Sequence, residues 1–362
     1  MTVAHINAIG TAVPPHQVHD AFVGYVRATL PPKAQRLFDR MVTRAGIERR
    51  FSFIEPEVLP DGQITDTERF YGLGEWPGTG ERMARYEAWA PLLAVKAIAA
   101  LGEAFDAASI THVVVASCTG FTAPGLDQQI IAATGIDPSA ERTVVGFMGC
   151  YAAVNSLRLA HHIVRSEPAA RVLVVNLELC TLHFQRSGDL EKLLSMLLFG
   201  DGASAAIVSA DSAGVALDDF RSAAIAGSAS AITWNIRDQG FDMHLDGQVP
   251  ALIAEALATD RARNDCGGLM RGTQPADYDR WAVHAGGRTI LDAVERALEL
   301  PENALEPSRR VLRDHGNMSS ATLMFVLRDM MADRAPGQPE ERGMALAFGP
   351  GLAAESFRFR LV

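Results

Sequence analysis

The sequence predicts an α/β protein of two similar halves, with mainly parallel sheets packed around a central layer of buried helix. Three observations predict it. First, β-branched runs that read as buried strands ("THVVVAS", "RTVVGF", "RVLVVNLEL", "SAAIVSA") alternate with stretches of helical spacing such as "EAWAPLLAVKAIAALGEAF". Such alternation covers a mainly parallel sheet with helices. Second, the later part repeats the theme in "RWAVHAGGRTILDAVERALEL", a strand, a glycine turn and a helix, and closes with "GMALAFGPGLAAESFRFRLV", a strand pair around a Gly-Pro-Gly loop. Third, 362 residues exceed one ordinary core, and 48% hydrophobic residues mark a globular chain.

The strand "SAAIVSA" ends in small polar residues from Asp211 onward, a seam that divides the chain into halves 1–212 and 213–362. Within the first half, "EPEVLPDGQITDTERFYGLGEWPGTGER" is rich in Pro, Gly and acids and reads as a surface excursion. From Phe147 to Leu157 there is no charged residue, so the helix beginning there is central and buried.

Composition excludes several classes of function. A net charge of −10 with no Lys/Arg cluster argues against nucleic acid, whose phosphates need clustered cations. The start "MTVAHINAIGTAVPP" lacks a charged segment followed by an apolar core, and no run of 18 apolar residues occurs, so no membrane role and a cytoplasmic location are expected. Cys118, Cys150, Cys180 and Cys266 form no CxxC and no metal spacing, which reads as free thiols and no metal site.

Chemistry concentrates in three places. In "GFMGCYAAVNSLRLAHHIV" a strand runs through a Met-Gly turn into a helix, placing Cys150 at the helix N-terminus, where peptide dipoles favour a thiolate. A small buried hydrophobe is the competing reading. His284, in "WAVHAGG", follows a strand and precedes a glycine turn, where α/β sheets present reactive groups; a core histidine bonded to backbone is its alternative. Most other histidines, His16, His19, His161 and His162 among them, fall on segments that read as surface. Asn317, in "DHGNMSSATLMFVLRDMM", is either a turn residue or an amide donor beside His284.

Taken together, "GFMGCYA", "VHAGGRTILDAVERAL", "GNMSSATLMFVL" and "AFGPGLAAE", with "SCTGFTAPGLD", "LLFGDGASAAIVSAD" and "GFDMHLDGQVPALI", resemble the type III polyketide synthases, the chalcone synthase-like, homodimeric branch of the thiolase fold, over essentially the whole chain. The resemblance implies a thiolase-like architecture and Cys150, His284 and Asn317 as the catalytic residues. It also places Phe199 at a gate between cavity and coenzyme A tunnel, and Met243 at a second gate that is a phenylalanine in the plant enzymes. Cys118, Cys180, His183, Trp234 and Ser319 match cavity-lining positions, with ordinary burial, or a helix N-cap for Ser319, as competing readings. Arg44, Arg49 and Arg50 in "TRAGIERRF" resemble a basic segment that meets coenzyme A phosphates, a solvated charged face being the other possibility.

The implied chemistry needs no cofactor beyond coenzyme A thioesters as substrates. A thiolate accepts an acyl group, malonyl-CoA loses CO₂ to an enolate held by hydrogen-bond donors, and the enolate extends the chain before cyclisation to a pyrone or phenolic ring. An imidazolium beside the sulfur is expected to draw its pKa from about 8.5 into roughly the 3.5 to 7.5 range. The nearest rival is a β-ketoacyl-acyl carrier protein synthase III, with one condensation and a carrier protein; a non-catalytic acyl-CoA binder is a third possibility.

Overall fold

Among the described residues, nine strands join edge to edge in one mixed sheet. In chain order they are β1 (Ala4–Ala12), β2 (His112–Ser117), β3 (Glu141–Gly146), β4 (Val172–Leu179), β5 (Asp201–Ser209), β6 (Val215–Ala224), β7 (Arg280–Val283), β8 (Glu341–Gly349) and β9 (Ala353–Leu361). Across the sheet the order is β7-β8-β9-β6-β1-β5-β4-β2-β3. The computed structural model describes residues 2–72, 74–263, 265, 267–335 and 337–362, so Cys266 lies outside the described residues.

The pairing corrects the mainly parallel sheet expected from sequence. Only β2–β3, β2–β4 and β7–β8 are parallel; the other five neighbouring pairs are antiparallel. Apolar runs report burial on both faces in β2, β4 and β5, whereas strand direction is set by the connections; β3, whose run "RTVVGF" also reads as buried, lies at the sheet edge and is largely exposed. Between β8 and β9 only Pro350–Leu352 intervenes, which reverses the chain. The two ends of the sheet nonetheless repeat one pattern: β2 lies parallel to β4, then β5 and β1 follow antiparallel, just as β7 lies parallel to β8, then β9 and β6 follow.

Strand alternation sorts the core into layers. Val113, Val115, Leu173 and Val175 face helices α3 (Thr79–Ala99) and α4 (Leu126–Thr134). Their neighbours Val114, Val172 and Val174 turn the other way, onto α5 (Ala152–Ser166) and α10 (Thr322–Ala332). Ala345 and Ala347 of β8 reach that same middle layer from the far side, while Met344 and Leu346 pack on α7 (Val249–Arg261) and α8 (Arg288–Ala297). The middle layer is the expected central buried helix, and both its helices begin beside the site. Of the other helices, α1 (His19–Thr29), α2 (Pro32–Ala45) and α6 (Leu190–Leu198) group at one end, and α9 (Glu306–His315) leads into Asn317.

His19 and His161, read as surface residues from sequence, are buried. His19 accepts a hydrogen bond from Arg50 on Nδ1 at 3.1 Å, and the His161 ring lies tilted against Phe220, centroids 5.2 Å apart. Among the described residues, no single helix is long and apolar enough to cross a membrane.

Candidate active site

Two tight turns and a strand end build the site. After β3 the chain takes a left-handed step at Gly149 (φ 76°), where a Cβ would lie 2.6 Å from Pro350 Cδ, and a 3₁₀ turn over Gly149–Tyr151 then carries Cys150 into α5. Only glycine fits both the backbone and that gap. His284 sits just past the end of β7, and a glycine turn opens α8; a Cβ on Gly286 would press on Ile290 Cδ1 at 3.2 Å. Asn317 precedes the 3₁₀ turn Ser319–Ala321 that leads into α10.

The Asn317 side chain is held one way round. Its Oδ1 accepts from the Ser319 backbone N–H at 2.8 Å and the Thr322 hydroxyl at 3.4 Å. Nδ2 therefore points to the other side, donating to Gly286 O at 3.2 Å and standing 4.0 Å from Cys150 Sγ. The Ser319 hydroxyl lies 3.4 Å from Cys118 Sγ and also reaches Cys150. Beneath them the buried carboxylate of Glu178 accepts from Cys118 N (3.0 Å), Thr119 Oγ1 (2.8 Å) and Ser320 Oγ (2.5 Å), tying the loop after β2 to the turn before α10.

Burial governs the electrostatics. It pushes the Cys150 thiol up to about 11, against the opposing pull of hydrogen bonds from Ser319 and Asn317. It also drives the His284 imidazole down to about 3. Both groups are thus held neutral, which differs from the thiolate–imidazolium pair expected from sequence. His284 is 1% exposed and neither ring nitrogen has a hydrogen-bond partner among the described residues.

Cys150, His284 and Asn317 line one cavity of about 170 Å³, together with Phe199, Met243, Cys118, Cys180, His183, Trp234 and Ser319. Trp234 and Met243 are cross-strand partners in the hairpin Ile232–Arg237/Gly240–Leu245, so both present to the same face. Trp234 Nε1 donates to Cys118 O at 2.7 Å. His183 stacks on Phe241 at 4.2 Å, accepts from Phe241 N–H on Nδ1 (3.0 Å), and its Nε2 lies 2.7 Å from Thr119 O. Cys118, Cys150 and Cys180 are free thiols.

The chain matches the family model "Chalcone and stilbene synthases, N-terminal domain" over residues 1–212 and its C-terminal counterpart over 219–362. This chain belongs to the chalcone and stilbene synthase family, the type III polyketide synthases. The synthase is 36% identical to bisdemethoxycurcumin synthase of Oryza sativa subsp. japonica, over 98% of this chain and 91% of that protein. Solved structures of similar shape include PKS-I of the brown alga Ectocarpus siliculosus (TM-score 0.83, 26% identity, 100% and 99% of the two chains covered). Another is the C-terminal type III polyketide synthase domain of Steely1, a type I/III hybrid from Dictyostelium (TM-score 0.85, 24% identity, 99% and 100% covered). Proteins of this family act on coenzyme A thioesters.

The three arginines of the synthase part company. Arg44 is exposed, and no acidic partner stands beside it among the described residues; Arg49 is exposed and bonds Asp314 at 2.8 Å. Arg50 is buried, its Nη1 donating to Met196 O (3.1 Å) and Phe199 O (2.7 Å), so it props the Phe199 segment from inside and does not face solvent as a phosphate ligand would. Ser319 is no helix N-cap: it is the first residue of the 3₁₀ turn Ser319–Ala321, with its hydroxyl turned to the thiols, and Ala321 takes the N-cap position of α10.

Sequence reasoning missed Glu178, Phe241 and the 54–76 segment. A lone acid inside the apolar run "LVVNLELC" was the available signal for the first. The supposed surface excursion instead sends Pro56, Ile64, Thr65, Asp66, Tyr71 and Trp76 into the cavity wall. Its aromatic density, in "RFYGLGEW", outweighs the acids and glycines that suggested exposure.

Proposed function

We propose that this polyketide synthase loads an acyl-CoA starter on Cys150, decarboxylates malonyl-CoA, extends the chain iteratively and cyclises it to a pyrone or phenolic product. The carrying observation is a fully buried imidazole, both of whose nitrogens lack a partner among the described residues, lining the same cavity as the Cys150 sulfur and the fixed Asn317 amide. A buried polar group without partners is costly unless a ligand supplies them.

The chemistry follows from those groups. Neutral His284 accepts the thiol proton as Cys150 sulfur attacks the starter's thioester carbonyl, and the coenzyme A thiolate leaves with that proton. Malonyl-CoA then loses CO₂, its bonding electron pair passing to the thioester oxygen as an enolate. The Asn317 Nδ2–H and one His284 N–H face that oxygen, and a donor of this kind is commonly worth about 3 kcal/mol of barrier. The apolar wall disfavours the malonyl carboxylate and so favours its loss. The enolate carbon attacks the acyl–Cys150 carbonyl, expelling the sulfur for the next round.

Nucleophile and donors thus come from the two halves of the chain, 1–212 and 213–362. Phe199 and Met243 border the reacting end, where they would gate entry, and Trp234 limits the space for the growing chain. Arg44 would meet the coenzyme A phosphates. We read the protein as a cytoplasmic homodimer, paired along β3: that strand is a sheet edge, with Val144 49% exposed and Phe121 44% exposed beside it. The test is incubation with malonyl-CoA and a panel of starters. CO₂ release and new ultraviolet-absorbing products, both lost in Cys150→Ala, are expected; inactivity across the panel, or a Cys150→Ala protein equal to wild type, overturns the reading.

A further inference from the structure

The starts of β2 and β3 meet the end of α5 on the side of the sheet remote from the cavity. The other end of α5 begins beside Cys150, so its 15 residues set the two places about 22 Å apart at about 1.5 Å per residue. Three side chains converge at the remote end. His112 and Glu141 are opposite one another in the parallel β2–β3 ladder, and Glu167 is the residue at which α5 stops. An imidazole nitrogen and two carboxylate oxygens, one from each residue, lie within 4.8 Å of one another. The three are well separated in the chain, and only the fold brings them together.

His112 is the buried member, 6% exposed, and its two nitrogens differ. Nδ1 lies 2.8 Å from Thr111 Oγ1. That hydroxyl accepts the Arg171 backbone N–H at 2.9 Å and stands 3.2 Å from Arg171 O. With the hydroxyl donating to Arg171 O, its second lone pair receives Nδ1–H, and every proton in the chain of bonds has an acceptor. Nε2 is then the bare nitrogen. It makes no hydrogen bond among the described residues and faces Glu141 Oε2 at 3.6 Å. That separation is too long for a hydrogen bond. It is close to the roughly 3.4 Å between two ligands that each stand about 2.0 to 2.1 Å from a tetrahedral ion. Two lone pairs facing each other repel, and a cation between them turns the repulsion into bonding. Glu167 sharpens the need, because a carboxylate at a helix C-terminus meets the negative end of the helix dipole.

We propose that His112, Glu141 and Glu167 bind one divalent ion of the zinc class, with water in the fourth position, as a structural clip. The imidazole selects zinc or cobalt over magnesium and calcium, which prefer shells made of oxygen alone. Thr111 fixes the ring, while the two glutamates are exposed and have room to close on the ion. Bound there, the ion ties β3, which has a sheet neighbour on one side only, to β2 and α5. Those three elements carry Cys118 and Cys150 to the cavity from their opposite ends. The ion itself is too distant to touch the reacting sulfur.

The experiment strips the protein with EDTA, removes the chelator, and titrates it calorimetrically with Zn²⁺, Co²⁺ or Mg²⁺ alone, beside Glu141→Gln, Glu167→Gln and Thr111→Val. Wild type should take one tightly bound Zn²⁺ per chain. Each glutamine variant, and Thr111→Val through the loosened ring, should weaken that binding by about tenfold or more. Excess Zn²⁺ should raise the wild-type Tm by a few degrees and shift the variants less, because the ion binds the folded chain. Melts without metal show that the variants fold, the two glutamates being exposed. The first equivalent of Co²⁺ should give no sulfur-to-metal absorption band, which separates this site from Cys150 and the other thiols. No Zn²⁺ binding, binding undiminished in both glutamine variants, a cobalt–thiolate band at the first equivalent, or Mg²⁺ bound as tightly as Zn²⁺ would each overturn the proposal.

Discussion

Phe199 and Asn317 are stitched together through their backbones: the two form a parallel β-bridge, with Asn317 N–H donating to Leu198 O at 2.8 Å and Gly200 N–H to Asn317 O at 3.0 Å. A residue at the cavity's border and a donor at its reacting end therefore move as one piece. Arg50 holds that piece from below, its stem packed into space left by Gly200 and Gly316, where a Cβ would lie 3.3 Å and 2.8 Å from it.

Arg50→Met should accordingly act on stability and chemistry together. It leaves two buried carbonyls and His19 without their donor, a loss of about 2 to 4 kcal/mol. Thermal melts should show a lower Tm, with slower CO₂ release from malonyl-CoA. An unchanged Tm with a raised KM for malonyl-CoA would restore the phosphate-binding role expected from sequence.

Asn317→Ala removes the amide donor but not the nucleophile. Decarboxylation should fall by about 100-fold or more, while a radiolabelled starter should still acylate Cys150. Equal loss of both steps would show that Asn317 acts on the thiol and not on the enolate.

The Cys150 thiol is pushed up to about 11, so its thiolate fraction at neutral pH is small and grows with each step in pH. Iodoacetamide labelling of Cys150, followed by mass spectrometry, should accelerate about tenfold per pH unit from pH 7 to 9. A plateau already reached below pH 7 would mean that the imidazole takes the proton in the empty enzyme.

His183 and His284 are buried and both driven down to about 3 by loss of solvation. Unfolded, each binds a proton near pH 6.5; folded, it does not until far lower. Their lowered values therefore favour the folded state above pH 6.5, and that contribution drains away as pH falls toward 3. Urea titrations should find the protein less stable at pH 5 than at pH 7.5 by about 2 kcal/mol for each of the two. Flat stability between pH 7.5 and 5 would contradict their neutral burial.

Val144 offers a test of the edge. With the proposed pairing along β3, wild type should run as a dimer and Val144→Arg as a monomer in light scattering, because a cation on a pairing edge is costly to cover. A dimer that survives the change would move the interface elsewhere.

Spacing placed Cys150, His284 and Asn317 at strand ends and helix starts but left each with a second reading; their occurrence together in contexts that resemble the type III polyketide synthases is what singled them out. The seven further side chains expected from that resemblance line the same cavity although different kinds of element carry them: Trp234 and Met243 pair across a hairpin outside the large sheet, Phe199 follows α6 and His183 lies in the turn after β4. Strand directions were not legible, since burial on both faces writes the same apolar run whichever way a strand points. Nor was the place of Arg50: a guanidinium reads as solvent-facing until the carbonyls of Met196 and Phe199, almost 150 residues away in the chain, are folded over it. The chain by itself determined which groups could react. Tertiary packing alone decided that they are held uncharged, because the charge on a sulfur or an imidazole depends on how much water the surrounding layers exclude, and no stretch of sequence carries that quantity.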